Sequence, residues 1–150
     1  MQNRISKEEY YLDIARAVSQ RSTCLKKRYG AIVVKNDQIL STGFNGPARG
    51  EPHCEVCTKV KSNKDMEEYL HCPACHAEMN CIIQAARKDM IGATLYLVGV
   101  NAFSGAEMSV VEPCQICLRL IKNAGIDKVV TRQGTLYERD KNGILQKKIN

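Results

Sequence analysis

His76-Ala77-Glu78 and Pro113-Cys114-Gln115-Ile116-Cys117 are the two stretches of this chain whose residue types and spacing can do chemistry. Each stands where a helix is predicted to begin. A CxxC pair at a helix start presents its sulfurs about one turn apart, and the positive end of the helix dipole favours their thiolate forms. One imidazole and two thiolates are three ligands for a tetrahedral zinc, which leaves a fourth position for water. An open position is the mark of a catalytic metal, since a structural zinc closes its shell with protein. Zinc lowers the pKa of its water towards 7, so a nucleophile is available at neutral pH. A base must still take and relay the proton. Glu78, two residues after His76, is near enough to share the pocket without ligating.

Either stretch alone is weak. A lone CxxC can be a redox pair or half of a structural site, and any helix can begin with His-Ala-Glu. The two together match the HxE and PCxxC pattern of zinc nucleobase deaminases, in which the glutamate shuttles the proton.

Eight cysteines accompany three histidines. Cys81 falls between apolar neighbours on the helix after His76 and reads as a core thiol. Cys54-Glu55-Val56-Cys57 and Cys72-Pro73-Ala74-Cys75 are two further CxxC pairs. A closed zinc site built from Cys24, Cys54, Cys57 and Cys72 would order the segment around them and supply folding energy. Spacing leaves the choice open: Cys75 could line the active pocket instead, and His53 or His71, each beside a candidate cysteine, could substitute.

The elements that must position these groups follow from length and pattern. The chain has 150 residues, enough for one domain that buries roughly 70% of its unfolded surface. Ser6-Lys7-Glu8-Glu9 is a capping box ahead of a helix predicted over about Lys7 to Gln20. Gly30 to Lys35 and Ile39 to Phe44 flank Asn36-Asp37-Gln38 and predict a hairpin. From Asn45 to Cys75 no period persists, and only Asp65 to Leu70 is helix-like. A stretch of this length inside a compact domain needs an ordering agent, and a metal would serve. Helical spacing resumes from His76 to Lys88, a buried strand covers Thr94 to Val100, and Asn101 to Glu112 is a loop. Pro113 suits the first residue of another helix, which stops at Asn123-Ala124-Gly125 ahead of a strand at Lys128 to Thr131. The tail from Leu136 to Ile149 is open between a hairpin around Asn142-Gly143 and a short helix. Alternating strands and helices predict an α/β fold. The expected organisation is a single domain over 1–150 with a zinc-ordered insertion at about 46–75.

Neither a cleavable leader nor a membrane-spanning apolar run is legible, so the expected compartment is the reducing cytoplasm, where clustered cysteines are metal ligands or catalytic groups. Net charge is +6, from 22 basic and 16 acidic side chains. That favours phosphate-bearing ligands but is too diffuse to specify nucleic acid. With two Phe and no Trp, no aromatic stacking set for single strands accompanies it. Lys26-Lys27-Arg28 and the lysines at 59, 61 and 64 read first as solvated surface and second as phosphate contacts. Arg49 and Arg132 stand near loops expected to border the pocket.

Arg21-Ser22-Thr23-Cys24, Tyr29-Gly30-Ala31-Ile32-Val33-Val34, Ser41-Thr42-Gly43-Phe44-Asn45-Gly46 and the two zinc motifs, with Met79-Asn80 after the first, resemble the cytidine and deoxycytidylate deaminase family over about Arg21 to Val130. Gly-Phe-Asn-Gly favours the bacterial and phage deoxycytidylate branch, where Gly-Tyr-Asn-Gly is usual. The resemblance implies a three-layer αβα domain with a five-stranded mixed sheet, and hydrolytic loss of ammonia from a cytosine nucleotide, deoxycytidylate to deoxyuridylate. It makes His76, Cys114 and Cys117 the catalytic zinc ligands and Glu78 the catalytic proton carrier, to the ring nitrogen and then to departing ammonia. It turns Asn45 towards sugar or base, although Asn-Gly is also a common turn. An accessory structural zinc like that of many deoxycytidylate deaminases supports Cys24 as a ligand. The resemblance further implies a homo-oligomer, often a hexamer, and in some members regulation by deoxycytidine and thymidine triphosphates. Two departures bear on the substrate: a longer Asn101–Glu112 loop, and Thr131-Arg132-Gln133-Gly134 where a tyrosine-containing segment usually follows. The alternative targets are cytidine or deoxycytidine, another small heterocycle, or a tRNA base. A structural module in which both metals merely hold the fold is disfavoured by Glu78, for which a closed site has no use.

Overall fold

In the structure, a computed structural model, residues 3–57 and 71–149 are described. Helix α1 spans Lys7–Ser19. Ser6 caps it, its hydroxyl accepting from the Glu9 backbone N–H at 3.1 Å, as the capping-box pattern requires. Strands β1 (Lys27–Lys35) and β2 (Gln38–Phe44) form the predicted hairpin. Asn36 and Asp37 both take positive φ, 51° and 58°, the requirement of a two-residue type I′ turn. The Asp37 carboxylate also receives Lys7 Nζ at 2.7 Å and the Tyr11 hydroxyl at 3.3 Å, tying the turn to α1. β1 begins three residues before the predicted Gly30. Lys27, Arg28 and Tyr29 are polar or amphipathic, yet they pair with Asn101, Val100 and Gly99.

Strands β3 (Gly46–Pro47) and β4 (Ala74–Cys75) form a separate two-stranded sheet. Their pairing joins the two ends of the aperiodic segment. The helix expected at Asp65 to Leu70 lies outside the described residues, as do the lysines at 59, 61 and 64. Helices α2 (Ala77–Ile83) and α3 (Arg87–Met90) follow, where one helix from His76 to Lys88 was expected. Ile83 is exposed while Met90 is buried, so the apolar residues do not share one stripe. Ala86 takes an extended conformation that restarts the chain, and Gln84 is spent on the carbonyls of Thr42 and Asn80, at 2.6 and 3.0 Å.

Strand β5 (Thr94–Asn101), helix α4 (Gln115–Ala124) and strand β6 (Lys128–Thr131) complete the central unit, with β5 and β6 parallel. Gly125, at φ 80°, ends α4 in the left-handed conformation, as the Asn-Ala-Gly stop predicted. The tail is the hairpin alternative: β7 (Gly134–Arg139) pairs with β8 (Leu145–Lys147). The main sheet therefore has six strands in the order β2-β1-β5-β6-β7-β8, one more than the expected five. β8 is the addition, and it is retained because Leu145 is buried beside Leu136 and Tyr137.

Alternation along the central strands divides the core into two. Ile32, Val34, Tyr96 and Val98 pack under Tyr11, Leu12 and Ala15 of α1. Ala31, Val33, Leu95 and Leu97 face Ala77, Cys81, Leu118 and Ile121 on the other side. Period-two side chains buried on both faces are what a sheet between helix layers demands, and the result is the three-layer αβα arrangement. Among the described residues no helix is long and apolar enough to cross a membrane.

Candidate active site

α2 and α4 lie side by side on the same face of the sheet, and their first residues meet. His76 is the N-cap of α2, with an extended backbone. Cys114 is the N-cap of α4, its Sγ accepting from the Cys117 backbone N–H at 3.4 Å. Pro113 thus stands just outside the helix it was expected to open, and the thiol takes the capping role because it can accept from the free N–H groups there. His76 Nδ1 lies 3.4 Å from Cys114 Sγ and 3.3 Å from Cys117 Sγ. Zinc–ligand bonds of about 2.0–2.3 Å at tetrahedral angles put neighbouring donors about 3.5 Å apart. The separations and the donor types therefore fit zinc.

Cys117 is fully buried. Burial first, and then the neighbouring Glu78 and Cys114, push its thiol far above the ordinary range. Without a cation such a sulfur stays protonated, which makes the site's metal affinity pH-dependent. Glu78 is only 5% exposed. Desolvation raises its carboxyl, opposed in part by its own backbone N–H and by a hydrogen bond from the Cys117 thiol. A carboxyl held above its usual range beside a metal site is suited to passing protons near neutral pH.

His76, Glu78 and Cys114 line a cleft of about 220 Å³. Cys24, Cys54, Cys57 and Cys72 line the same cleft. All four are half-buried. The Cys54 thiol is raised by burial and then by Cys72, Cys24 and Cys57, so those three thiols lie within electrostatic reach of Cys54. They are more loosely gathered than the first group: among the described residues, only His76, Cys114 and Cys117 offer three donors all within 4.8 Å. Cys75 sits on β4 opposite Gly46 and is not among the described residues lining the cleft. His53 is exposed, its Nδ1 2.9 Å from Thr23 Oγ1, and His71 is exposed. Cys81 is buried, its thiol pushed up to about 12 chiefly by desolvation, the inert core group expected.

Asn45 is buried and lines the cleft. Its Oδ1 accepts from the Ser22 hydroxyl and the Tyr29 backbone N–H, both at 2.8 Å, and its Nδ2 donates to the Lys27 carbonyl at 2.9 Å. A carboxamide has two acceptor positions and two N–H groups, so one N–H remains after these three bonds. Asn45 is first an organiser of the cleft wall. Asn45→Ala is expected to cost about 2–3 kcal/mol, because it orphans buried polar partners, and urea denaturation of the two proteins measures it. Ser22 and Tyr29 carried no role in the sequence reading, although both stand in the quoted motifs. Their partner lies 16 to 23 positions away, so no local spacing exposes the bond.

Arg132 is an ion-pair residue, held by Glu107 of the Asn101–Glu112 loop and by Asp13 of α1, the latter at 2.7 Å. Arg49 is exposed, and neither arginine is among the residues lining the cleft. Glu112 does line it and was not foreseen. Its carboxylate accepts from the Tyr137 hydroxyl and pairs with Lys147 Nζ, each at 2.9 Å, which lowers its pKa. The terminal hairpin thereby braces the end of the loop that leads into Cys114.

The zinc-binding region of the cytidine and deoxycytidylate deaminases, as a family model, matches residues 5–133. The chain belongs to the cytidine and deoxycytidylate deaminase family. It is a zinc-binding hydrolytic deaminase with the fold of that family. A deoxycytidylate deaminase of Mycobacterium phage D29 is 37% identical over 129 residues, 82% of this chain and 91% of the relative. The dCMP deaminase of cyanophage S-TIM5, solved with dCMP and dUMP, superposes with a TM-score of 0.57 at 26% identity, over 85% of this chain and 83% of that one. A cytidine deaminase from Burkholderia pseudomallei shares the fold, with a TM-score of 0.54 at 14% identity over 95% of this chain and 91% of that one.

Proposed function

We propose that this deaminase converts deoxycytidylate to deoxyuridylate and ammonia. The observation that carries the chemistry is the buried Glu78 carboxyl in one cleft with His76 and Cys114, which with Cys117 form the His/Cys/Cys group. The phage relatives, named for deoxycytidylate, support the substrate. His76, Cys114 and Cys117 would hold zinc, which when bound acidifies water into a nucleophile at neutral pH.

Glu78 does the proton work. It takes a proton from the attacking water and gives it to the ring nitrogen while the new carbon–oxygen bond forms at the amino-bearing carbon. It then carries the hydroxyl proton to the amino group. The carbon–nitrogen bond breaks, ammonia leaves and the ring carbonyl forms, so one water is consumed for each ammonia released. The second N–H of Asn45, which lines the cleft, would donate to sugar or base. Lys26 and Lys27 line the cleft and offer charge to a phosphate, which raises the second reading of the basic run to the working one.

A panel of cytidine, deoxycytidine and their mono- and triphosphates, followed by absorbance, tests the substrate. Deoxycytidylate should be preferred. Lys26→Ala with Lys27→Ala is expected to lower kcat/KM for deoxycytidylate at least tenfold and to leave that for deoxycytidine within about twofold, since one charge-assisted hydrogen bond is worth about 1.5–3 kcal/mol. Zinc-loaded protein inactive on every member of the panel would sink the proposal.

The four thiols Cys24, Cys54, Cys57 and Cys72 we assign to a second, structural zinc. Four soft donors, half-buried and facing one cleft, suit that ion. It would order an insertion at about 46–75 within a single domain. The resemblance adds a homo-oligomer, regulation by triphosphates and a cytoplasmic setting to this proposal.

A further inference from the structure

We infer that occupancy of the four-thiol site controls nucleotide affinity, because the loop that carries Cys24 is itself a wall of the substrate cleft. The inference rests on the proposed deoxycytidylate reading and on zinc at those thiols. Thr23, Cys24, Leu25, Lys26 and Lys27 all line the cleft that holds His76 and Glu78. Both ends of this loop are fastened to one side chain: Ser22 donates to Asn45 Oδ1 at 2.8 Å, and the Lys27 carbonyl accepts from Asn45 Nδ2 at 2.9 Å. Between those ends Cys24 is the anchor. Its N–H reaches the Ser22 hydroxyl at 3.2 Å and its carbonyl accepts from Arg28 Nε at 3.2 Å.

Cys24 lines the cleft together with Cys54, Cys57 and Cys72, which come from two further segments of chain. Cys54 and Cys57 lie before the undescribed stretch, and Cys72 lies after it, two residues ahead of the β3–β4 pairing. A metal bound to all four would cross-link three walls of the cleft and fix Lys26 and Lys27 along it. Loss of the metal would leave the chemical groups intact, since His76, Glu78, Cys114 and Cys117 stand on α2 and α4 over the main sheet. The cost of ordering the loop would then fall on nucleotide binding.

The test uses the full chain with Cys57→Ser and Cys57→His. Zinc per chain is measured by atomic emission, dUMP affinity by titration calorimetry, and kcat and KM with deoxycytidylate. The expected parent binds two zinc ions. Cys57→Ser should fall to about one, with the dUMP Kd and the KM for deoxycytidylate raised at least tenfold and kcat reduced much less. Cys57→His keeps a four-ligand shell of ordinary type and should restore both zinc and affinity. Dialysis of Cys57→His against graded zinc gives affinity as a function of occupancy, independently of whether Cys57→Ser folds. One zinc in the parent, an unchanged dUMP Kd in a one-zinc variant, or a flat affinity trace overturns the inference while turnover of deoxycytidylate stands. A two-zinc parent that neither binds dUMP nor deaminates deoxycytidylate overturns the substrate reading, and this inference with it.

Discussion

Replacing Glu78 with glutamine is expected to lower kcat for deoxycytidylate by about 10²–10⁴-fold, the usual worth of a positioned proton carrier, with zinc content unchanged. Glutamine matches the carboxylate in size and cannot accept and return a proton. The loss should therefore fall on kcat, with dUMP still binding as in the parent. The same substitution is expected to stabilise the metal-free protein. Burial raises the Glu78 carboxyl above its ordinary value, so what the group contributes to stability is whole below the unfolded pKa of about 4.3 and is lost as pH rises through the folded one. Glutamine has no such loss. Melts in the presence of a chelator should place Glu78→Gln above the parent at a pH of about 7.5, and the gap should close by a pH of about 4. Full turnover in Glu78→Gln would remove this residue from the mechanism; a melting gap that widens towards acid would contradict the burial argument.

The residues of that site were legible because their chemistry is local. HxE and CxxC are short spacings, each at a helix N-terminus, and the helix starts were marked by the restart of apolar periodicity. The strands β1, β5 and β6 were legible for a related reason: a strand buried on both faces is a run of Val, Ile and Leu that no solvent-facing helix tolerates. What local pattern could not convey was closure across the chain. Lys27 to Tyr29 look like surface and are strand, because their partner is the end of β5. Tyr137 reaches Glu112 across 25 positions. The break at Gln84–Ala86 arises where Ile83 faces solvent and Met90 is buried, with the Gln84 side chain held by the carbonyls of Thr42 and Asn80, partners that helical spacing does not show. The proposed fourfold thiol set is intermediate. Two CxxC pairs suggest it, while the presence of Cys24 rather than Cys75 along the cleft depends on how the Ser22–Lys27 loop and the β3–β4 pair fold.

Gly43→Ala should be the most damaging single-methyl change in the fold's support of the site. A Cβ at Gly43 would sit 2.3 Å from the Ala77 carbonyl oxygen and 2.5 Å from the Cys81 backbone nitrogen. Both are backbone atoms of α2, so no side chain can swing aside and the helix must lift from β2. Overpacking of this kind costs about 1–3 kcal/mol, but the larger effect is positional. Ala77 lies between His76 and Glu78, so the lift moves the proposed metal ligand and the proposed proton carrier together, against Cys114 and Cys117. A misplacement of about 1 Å can cost about 10²-fold in rate, and Gly43→Ala is expected to lose at least tenfold in kcat together with zinc affinity. Gly30→Ala is the control. Its Cβ would meet the Ala15 carbonyl oxygen at 2.0 Å and the Ser19 nitrogen at 2.6 Å, on α1, a helix that carries neither the metal ligands nor Glu78. Urea denaturation should show comparable destabilisation for both variants, while kcat and zinc content separate them. Equal losses of kcat would mean that the sheet transmits strain between its two faces; a fully active, zinc-replete Gly43→Ala would mean that contact with β2 does not set the height of α2.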